Sequence, residues 1–370
     1  MDDKHLCAWF LAQVGVRRKN LEEICALFGN ATAAFEAGES CWESHVSLEN
    51  SISQRVWSSW KNGEAKAYAE RLLLLGIRVM MPYEAEYPEL LCTINDPPLL
   101  YAKGLTLTSD QVHVAVIGSR KASQYGKRVA EQMSRDMAEC GISIVSGLAR
   151  GIDSSAHRGA LQSAQGTTCA VVATGLDIVY PHENTALAAS IAERGTLISE
   201  QPLGTRPLPQ YFPARNRIIS GMSLGVLVVE AGARSGTQIT VGFALEQGRD
   251  VFAVPGSIYA ANSHGPHFMI RQGARLVESA DDILSELGLM QPVQSSEVAS
   301  ELQLTLLQDK ILCLLSVEPL HVDEIQAKTR IPVGTLLSEL MQLELLEQVI
   351  AMPGRMYELS PGRRTATGSS

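Results

Sequence analysis

From Val112 to Leu287 the sequence alternates short, near-continuous apolar runs with longer amphipathic stretches, and that alternation admits few folds. The apolar runs stand at 112–117, 142–146, 168–174, 196–199, 225–230, 250–254 and 275–278. Helical patterns fall at about 123–140, 152–164, 183–193, 213–221, 235–248, 264–272 and 281–287. Strands that are apolar at almost every position are covered on both faces, and strands separated by helices run parallel. The expected fold is α/β, a Rossmann-like doubly wound parallel sheet occupying 112–288. In such a sheet the turns that follow the strands gather along one edge.

The flanks read differently. Residues 1–75 carry helical spacing, as in Leu21, Ile24 and Leu27, broken at Gly15, Gly29, Gly38 and Gly63, which predicts a small helical, SAM-like domain. A connector at 76–111 holds a short strand, Ile77–Met80, and the proline-punctuated Asp96-Pro97-Pro98; it is expected to pack on the edge of the next domain. A polar linker at 289–308 leads to a compact pattern at 309–360: helices at 309–316, 322–328 and 333–346, then two strands around Pro353-Gly354-Arg355. Three helices and a β-hairpin make a winged helix. Residues 361–370 read as a disordered tail.

Three turns carry the chemistry. Gly118-Ser119-Arg120 follows the first strand of the sheet, and Lys121, Lys127 and Arg128 come after it with no acid before Glu131. A helix start without a carboxylate leaves its positive dipole end open to an anion. Ser146-Gly147 to Asp153 supplies small residues for close backbone approach; Asp153 reads as the cap of the next helix, and Arg150 is left for a phosphate or a neighbouring acid. Phe212-Pro213-Ala214-Arg215-Asn216-Arg217 is the strongest signal. Two arginines in a first helical turn oppose the dipole, the segment holds no acid to pair with them, and Phe212 can stack on a base, so single-strand binding is the expectation. Arg234-Ser235-Gly236 adds a cation and another helix start.

Charge separates the regions. The chain holds 31 basic and 40 acidic residues, but 112–287 is balanced at 15 against 15, so any nucleic-acid contact should be a local patch on a neutral domain. Walker A, HExxH and GxSxG sequences are absent, and GxGxxG is missing after the first strand. The seven cysteines include no CxxC pair, so neither a metal nor a cofactor is expected. With an acidic start at Asp2-Asp3 and no run of about 18 apolar residues, a soluble, cytoplasmic chain without a membrane partner is expected.

At these residues the chain resembles the DprA/Smf family of DNA-processing proteins. The shared runs are Val116 to Arg120, Ser146 to Asp153 with Ala156-His157, Tyr180-Pro181 to Asn184, Ser199-Glu200, Phe212 to Ser220, Val229 to Ala231, Arg234 to Gly236 and Val251 to Gly256, in order across 112–287. The resemblance implies a homodimer that binds single-stranded DNA without enzymatic activity, protects incoming DNA and loads the RecA recombinase during transformation. It also implies that Arg120 and Phe212 lie in the DNA pocket. Three departures stand out: Pro209 replaces a lysine of some members, Thr237-Gln238 replaces Ser-Leu, and Val14-Gly15-Val16-Arg17 lacks the paired glycines of a helix-hairpin-helix turn. The alternatives are a Rossmann-fold nucleotide phosphoribohydrolase of the lysine-decarboxylase-like type, whose PGGxGTxxE glutamate would stand at Thr240, and a winged-helix transcription factor.

Overall fold

The structure, a computed structural model, describes residues 2–289 and 305–360 apart from 83, 109, 234, 316–318, 347 and 353. The expected tail at 361–370 and most of the expected linker lie outside the described residues. Two compact units form, Met1–Gln291 and Pro292–Ser370.

The first unit is built on a nine-stranded sheet: β1 (Ile77–Met80), β2 (Leu100–Gly104), β3 (His113–Ile117), β4 (Ser143–Ser146), β5 (Thr168–Val172), β6 (Thr196–Ser199), β7 (Gly225–Val228), β8 (Asp250–Ala253) and β9 (Arg275–Leu276). Their order is β1-β2-β6-β5-β4-β3-β7-β8-β9. From β6 to β9 all pairs are parallel. The seven expected strands are present, each inside or within one residue of its apolar run. Alternation along β3 shows why both faces must be covered: Val114 and Val116 join one buried cluster with Met133, Met137 and Ile144, while Ala115 and Ile117 join the other with Ile218, Ile219 and Val241.

The connector does more than pack on the edge. Leu100, Tyr101 and Ala102 are fully buried, and β2 pairs antiparallel with β6 in the register Tyr101↔Ser199, with β1 outside it. The sheet is therefore mixed at one side, and the edge of β6 is covered rather than left as a row of unpaired backbone groups. The short helices between Asp3 and Leu74 bury an aromatic cluster, with Phe35 and Trp42 rings 4.8 Å apart and Trp42 and Trp57 5.1 Å apart. That cluster is continuous with Val172 of β5 and Leu197 of β6.

The second unit has helices Leu306–Leu315, Val322–Thr329 and Val333–Leu345 and a small sheet in the order β10 (Leu320–His321), β12 (Met356–Leu359), β11 (Val349–Met352). Its first helix begins three residues earlier than the pattern suggested. The apolar stripe Leu336, Leu340 and Leu343 fills its core with Ile311, Leu315 and Ile325. Three helices and an antiparallel hairpin give the expected winged helix.

Candidate nucleic-acid interface

Strand order reverses at β3, whose two neighbours are β4 and β7, and the C-terminal ends of β3 and β7 open a crevice there. A cavity of about 770 Å³ occupies it, lined by Gly118 to Lys121 after β3, by Ala149 and Asp153 after β4, by Phe212, Arg215 and Asn216, and by Gly232 and Ser235 to Thr237 after β7. The turns after β3, β4 and β7, spread over more than a hundred residues, thus meet because parallel strands all end on the same side.

At the mouth, the Arg120 guanidinium carbon lies 5.3 Å from the centre of the Phe212 ring, and Tyr180 meets the same ring edge-on at 5.7 Å. A cation over an aromatic face is attracted by the ring quadrupole, and here it also holds a charge beside a stacking surface. Arg120 is exposed, and among the described ion pairs none involves it. Lys121 lines the cavity too. Pro209 is also on the wall and offers no cation.

Arg215 sits in the floor rather than at the surface. It is 6% exposed, its Nη1 donates to the carbonyl oxygens of Gly147, at 2.8 Å, and Val171, and its Nε donates to Asn216 Oδ1 at 3.2 Å. A Cβ on Gly147 would stand 2.5 Å from this guanidinium, so any larger residue there would push it off its carbonyl partners. Burial lowers the Arg215 pKa to about 10, with Asp153 holding it up, and the side chain stays charged at neutral pH. Asp153 is buried as well. Desolvation raises its pKa, opposed by Arg215 and by the N–H of Ala149 at 3.3 Å. The two charges offset each other at the cavity, and Asp153 is not the cap expected of it: Gly151 is the N-cap of helix Ile152–Gln162, and Asp153, inside the first turn, accepts from the turn before the helix instead.

Several expected contacts face elsewhere. Arg217, two residues from Arg215 on helix Tyr211–Gly221, turns to the opposite side: Nη2 meets Glu200 Oε1 at 2.5 Å and Nη1 donates to the Asp96 carbonyl at 2.9 Å. The acid that the local segment lacks comes from the end of β6, so Arg217 is not an unpaired phosphate cation. Ser146 is fully buried and its hydroxyl donates to Val116 O at 2.6 Å. Arg150 is exposed and holds Glu183 bidentately at 2.6 and 2.7 Å, the second of the two roles its position allowed. Arg234 lies outside the described residues. Gly118 and Ser119 do line the cavity, but Gly118 is also a packing glycine, since a Cβ would meet Ile152 at 2.6 Å.

Glu230 corrects the reading of the first turn. Its buried carboxylate accepts from Ser123 N at 2.9 Å and Ser123 Oγ at 2.5 Å, at the start of helix Gln124–Glu139, and a Cβ on Gly126 would stand 2.4 Å from it. The helix end that seemed to need an external anion already has a carboxylate, delivered from the end of β7. The other helix end at the cavity is different. Gly236, Thr237 and Thr240 line the wall at the start of helix Thr237–Glu246, and a Cβ on Gly236 would meet nothing within 4 Å. That positive dipole end lies at the cavity wall, with the N–H groups of Thr237, Gln238 and Ile239 bonded to Ser235 and Gly236. Tyr180, Asn262 and Thr240 were not singled out from sequence as lining residues; they lie in the segments that follow β5, β8 and β7, and nothing in their local sequence marks them.

Over most of its length the chain is similar to known proteins. The family model described as DNA recombination-mediator protein A matches residues 78–288, and that of the DprA winged helix domain matches 295–355. Protein Smf of Escherichia coli (strain K12) is 41% identical over 289 residues, covering 76% of this chain and 77% of the relative. The DNA processing protein DprA of Bacillus subtilis (strain 168) is 44% identical over 223 residues, 60% of this chain and 73% of that protein. Among solved structures, DprA from Streptococcus pneumoniae superposes with a TM-score of 0.66 at 35% identity over 77% of this chain and 99% of its own. DprA from Helicobacter pylori, described for its single-stranded DNA binding mode, gives 0.51 at 26% identity over 57% and 95%.

Proposed function

Since the chain belongs to the DNA recombination-mediator protein A (DprA/Smf) family, we propose that it is a DNA-processing protein whose crevice at the β3–β7 switch point binds single-stranded DNA. The observation that carries this reading is Phe212 at the cavity mouth, between the Arg120 guanidinium and the Tyr180 ring. A ring whose face can take a base, beside a cation that can take the adjoining phosphate, is how proteins hold single strands without reading sequence. The start of helix Thr237–Glu246 adds the positive end of its dipole to the wall, its first three N–H groups being bonded to Ser235 and Gly236.

In this reading the protein works as a non-enzymatic, cytoplasmic homodimer that shields incoming strands and hands them to the RecA recombinase in transformation. The phosphoribohydrolase alternative is disfavoured by Thr240, which lines the cavity where a catalytic carboxylate would stand. Asp153, the carboxylate that does line it, is turned to the Ala149 N–H and offset by Arg215.

The test is fluorescence anisotropy with single- and double-stranded oligonucleotides beside a nucleoside-monophosphate hydrolysis control. Single-strand preference is expected. With Arg120 and Lys121 as side-chain phosphate contacts, a slope of about −0.7 per phosphate predicts roughly a sevenfold loss of affinity between about 50 and 200 mM salt. Phe212→Ala should cost about 1–3 kcal/mol with that slope unchanged, and Phe212→Tyr should retain most of the binding. Equal affinity of Phe212→Ala and wild type, or release of free base from a nucleotide, would overturn the reading.

A further inference from the structure

We propose that the loop from Pro255 to Asn262 continues the single-strand track outside the cavity, with Tyr259 as a second stacking platform. This rests on the single-strand reading of the cavity and adds a contact beyond it. The loop follows β8, beside β7 in the sheet, so it rises from the same edge as the cavity. Its tip carries Ile258, 71% exposed, and Tyr259, 93% exposed.

The loop is held stiffly beneath that tip. Tyr125 donates its hydroxyl to Pro255 O at 3.2 Å, the His267 ring meets Gly256 O at 3.0 Å, and a Cβ on Gly256 would stand 2.4 Å from Ser263 Oγ. At the other end Asn262 Nδ2 donates to Lys121 O at 3.0 Å and to Glu230 Oε2 at 3.1 Å, while Asn262 O accepts from Ala231 N at 2.8 Å. A turn closes the tip, with Ala260 N bonded to Ser257 O at 3.0 Å. A large ring displayed on a preorganised loop loses little entropy when it takes a partner.

Continuity with the cavity identifies that partner. Asn262 and Lys121 both line the cavity and are bonded to each other, so the loop springs from its wall with the Lys121 residue at the junction. Tyr259 stands three positions before Asn262, a reach of at most about 11 Å, or roughly three nucleotides at a stacked spacing of about 3.4 Å. A strand leaving the Phe212 platform past Lys121 meets Tyr259 next. Aromatic stacking suits it because every base offers a π-face.

The experiment is anisotropy on the full-length protein with oligothymidylates of about 4 and about 20 nucleotides, comparing Tyr259→Ala, Tyr259→Phe and Phe212→Ala, with subunit mass followed by light scattering. Tyr259→Ala should weaken the long strand about fivefold or more, leave the short one unchanged, and keep the salt slope, while Tyr259→Phe binds like wild type. Phe212→Ala should weaken both lengths. If Phe212→Ala weakens binding and Tyr259→Ala does not, the track is wrong and the cavity reading stands. A smaller assembly in Tyr259→Ala would assign the loop to a second copy of the chain and overturn the proposal. Wild-type binding of both lengths by Phe212→Ala would overturn the cavity reading and the track with it.

Discussion

Three arginines that look alike in sequence end in three environments, and their mutants should separate accordingly. Arg120 is exposed beside Phe212, Arg215 is buried against the carbonyls of Gly147 and Val171, and Arg217 is paired with Glu200. Arg120→Ala should lose a charge-assisted phosphate bond of about 1.5–3 kcal/mol and flatten the salt slope by less than one, measured by titration at several salt concentrations. Arg217→Ala should act on the fold. Glu200 is already pushed up by burial despite its partner, so stranding it is expected to cost about 1–3 kcal/mol in a denaturant melt while folded protein keeps wild-type DNA affinity. A Gly147→Ala change forces Arg215 to move and should destabilise more than a surface Gly→Ala would.

Among the elements, two buried histidines make the sheet sensitive to acid. His113 opens β3, and burial lowers its pKa to about 4. His157 lies in helix Ile152–Gln162, where burial, with Arg215 and Arg158 adding repulsion, lowers it to about 3. The Thr168 hydroxyl donates to Ile144 O at 2.6 Å, so it can only accept from His157 Nδ1 at 2.7 Å, which fixes the neutral ring's tautomer. Both folded-state values lie below the unfolded value of about 6.5. As pH falls through that value the unfolded chain takes up protons first, so stability present above about 6.5 is lost on the way down to about 4 and then 3. Each histidine contributes up to about 1.4 kcal/mol per pH unit in that window. Melting temperatures from pH 7.5 to 4.5 should show the fall. His157→Asn, which keeps a donor for Thr168, should flatten part of it; an unchanged profile in that variant would remove His157 from the account.

For the whole molecule, the winged helix brings the opposite charge from what duplex DNA needs. Ile331 to Gly354 contain Glu339, Glu344 and Glu347 and no lysine or arginine. A recognition helix there would meet phosphate repulsion instead of releasing counterions. Helix Val333–Leu345 buries Leu336, Leu340 and Leu343, yet Leu337, Met341 and Leu345 are 43, 65 and 77% exposed, an apolar surplus suited to a protein contact. Removing residues 300–370 should leave single-strand affinity per subunit within about threefold while altering assembly. Micromolar duplex binding by purified 300–370 in physiological salt, the upper range of ordinary non-specific affinity, would overturn this assignment.

What the sequence determined by itself was local and periodic: seven parallel strands, the helices between them and the winged helix. Those follow from hydrophobic period and turn chemistry, which act over a few residues. Tertiary structure decided the rest, because charge pairing and strand pairing act across any separation in the chain. Glu200 reached Arg217 from 17 residues away and Glu230 reached Ser123 from 107 residues away. A segment read as a connector became β2 because the edge of β6 needed a partner. Which of Arg120, Arg215 and Arg217 is left without a carboxylate or carbonyl partner is decided by the fold, and no window of neighbouring residues contains that information.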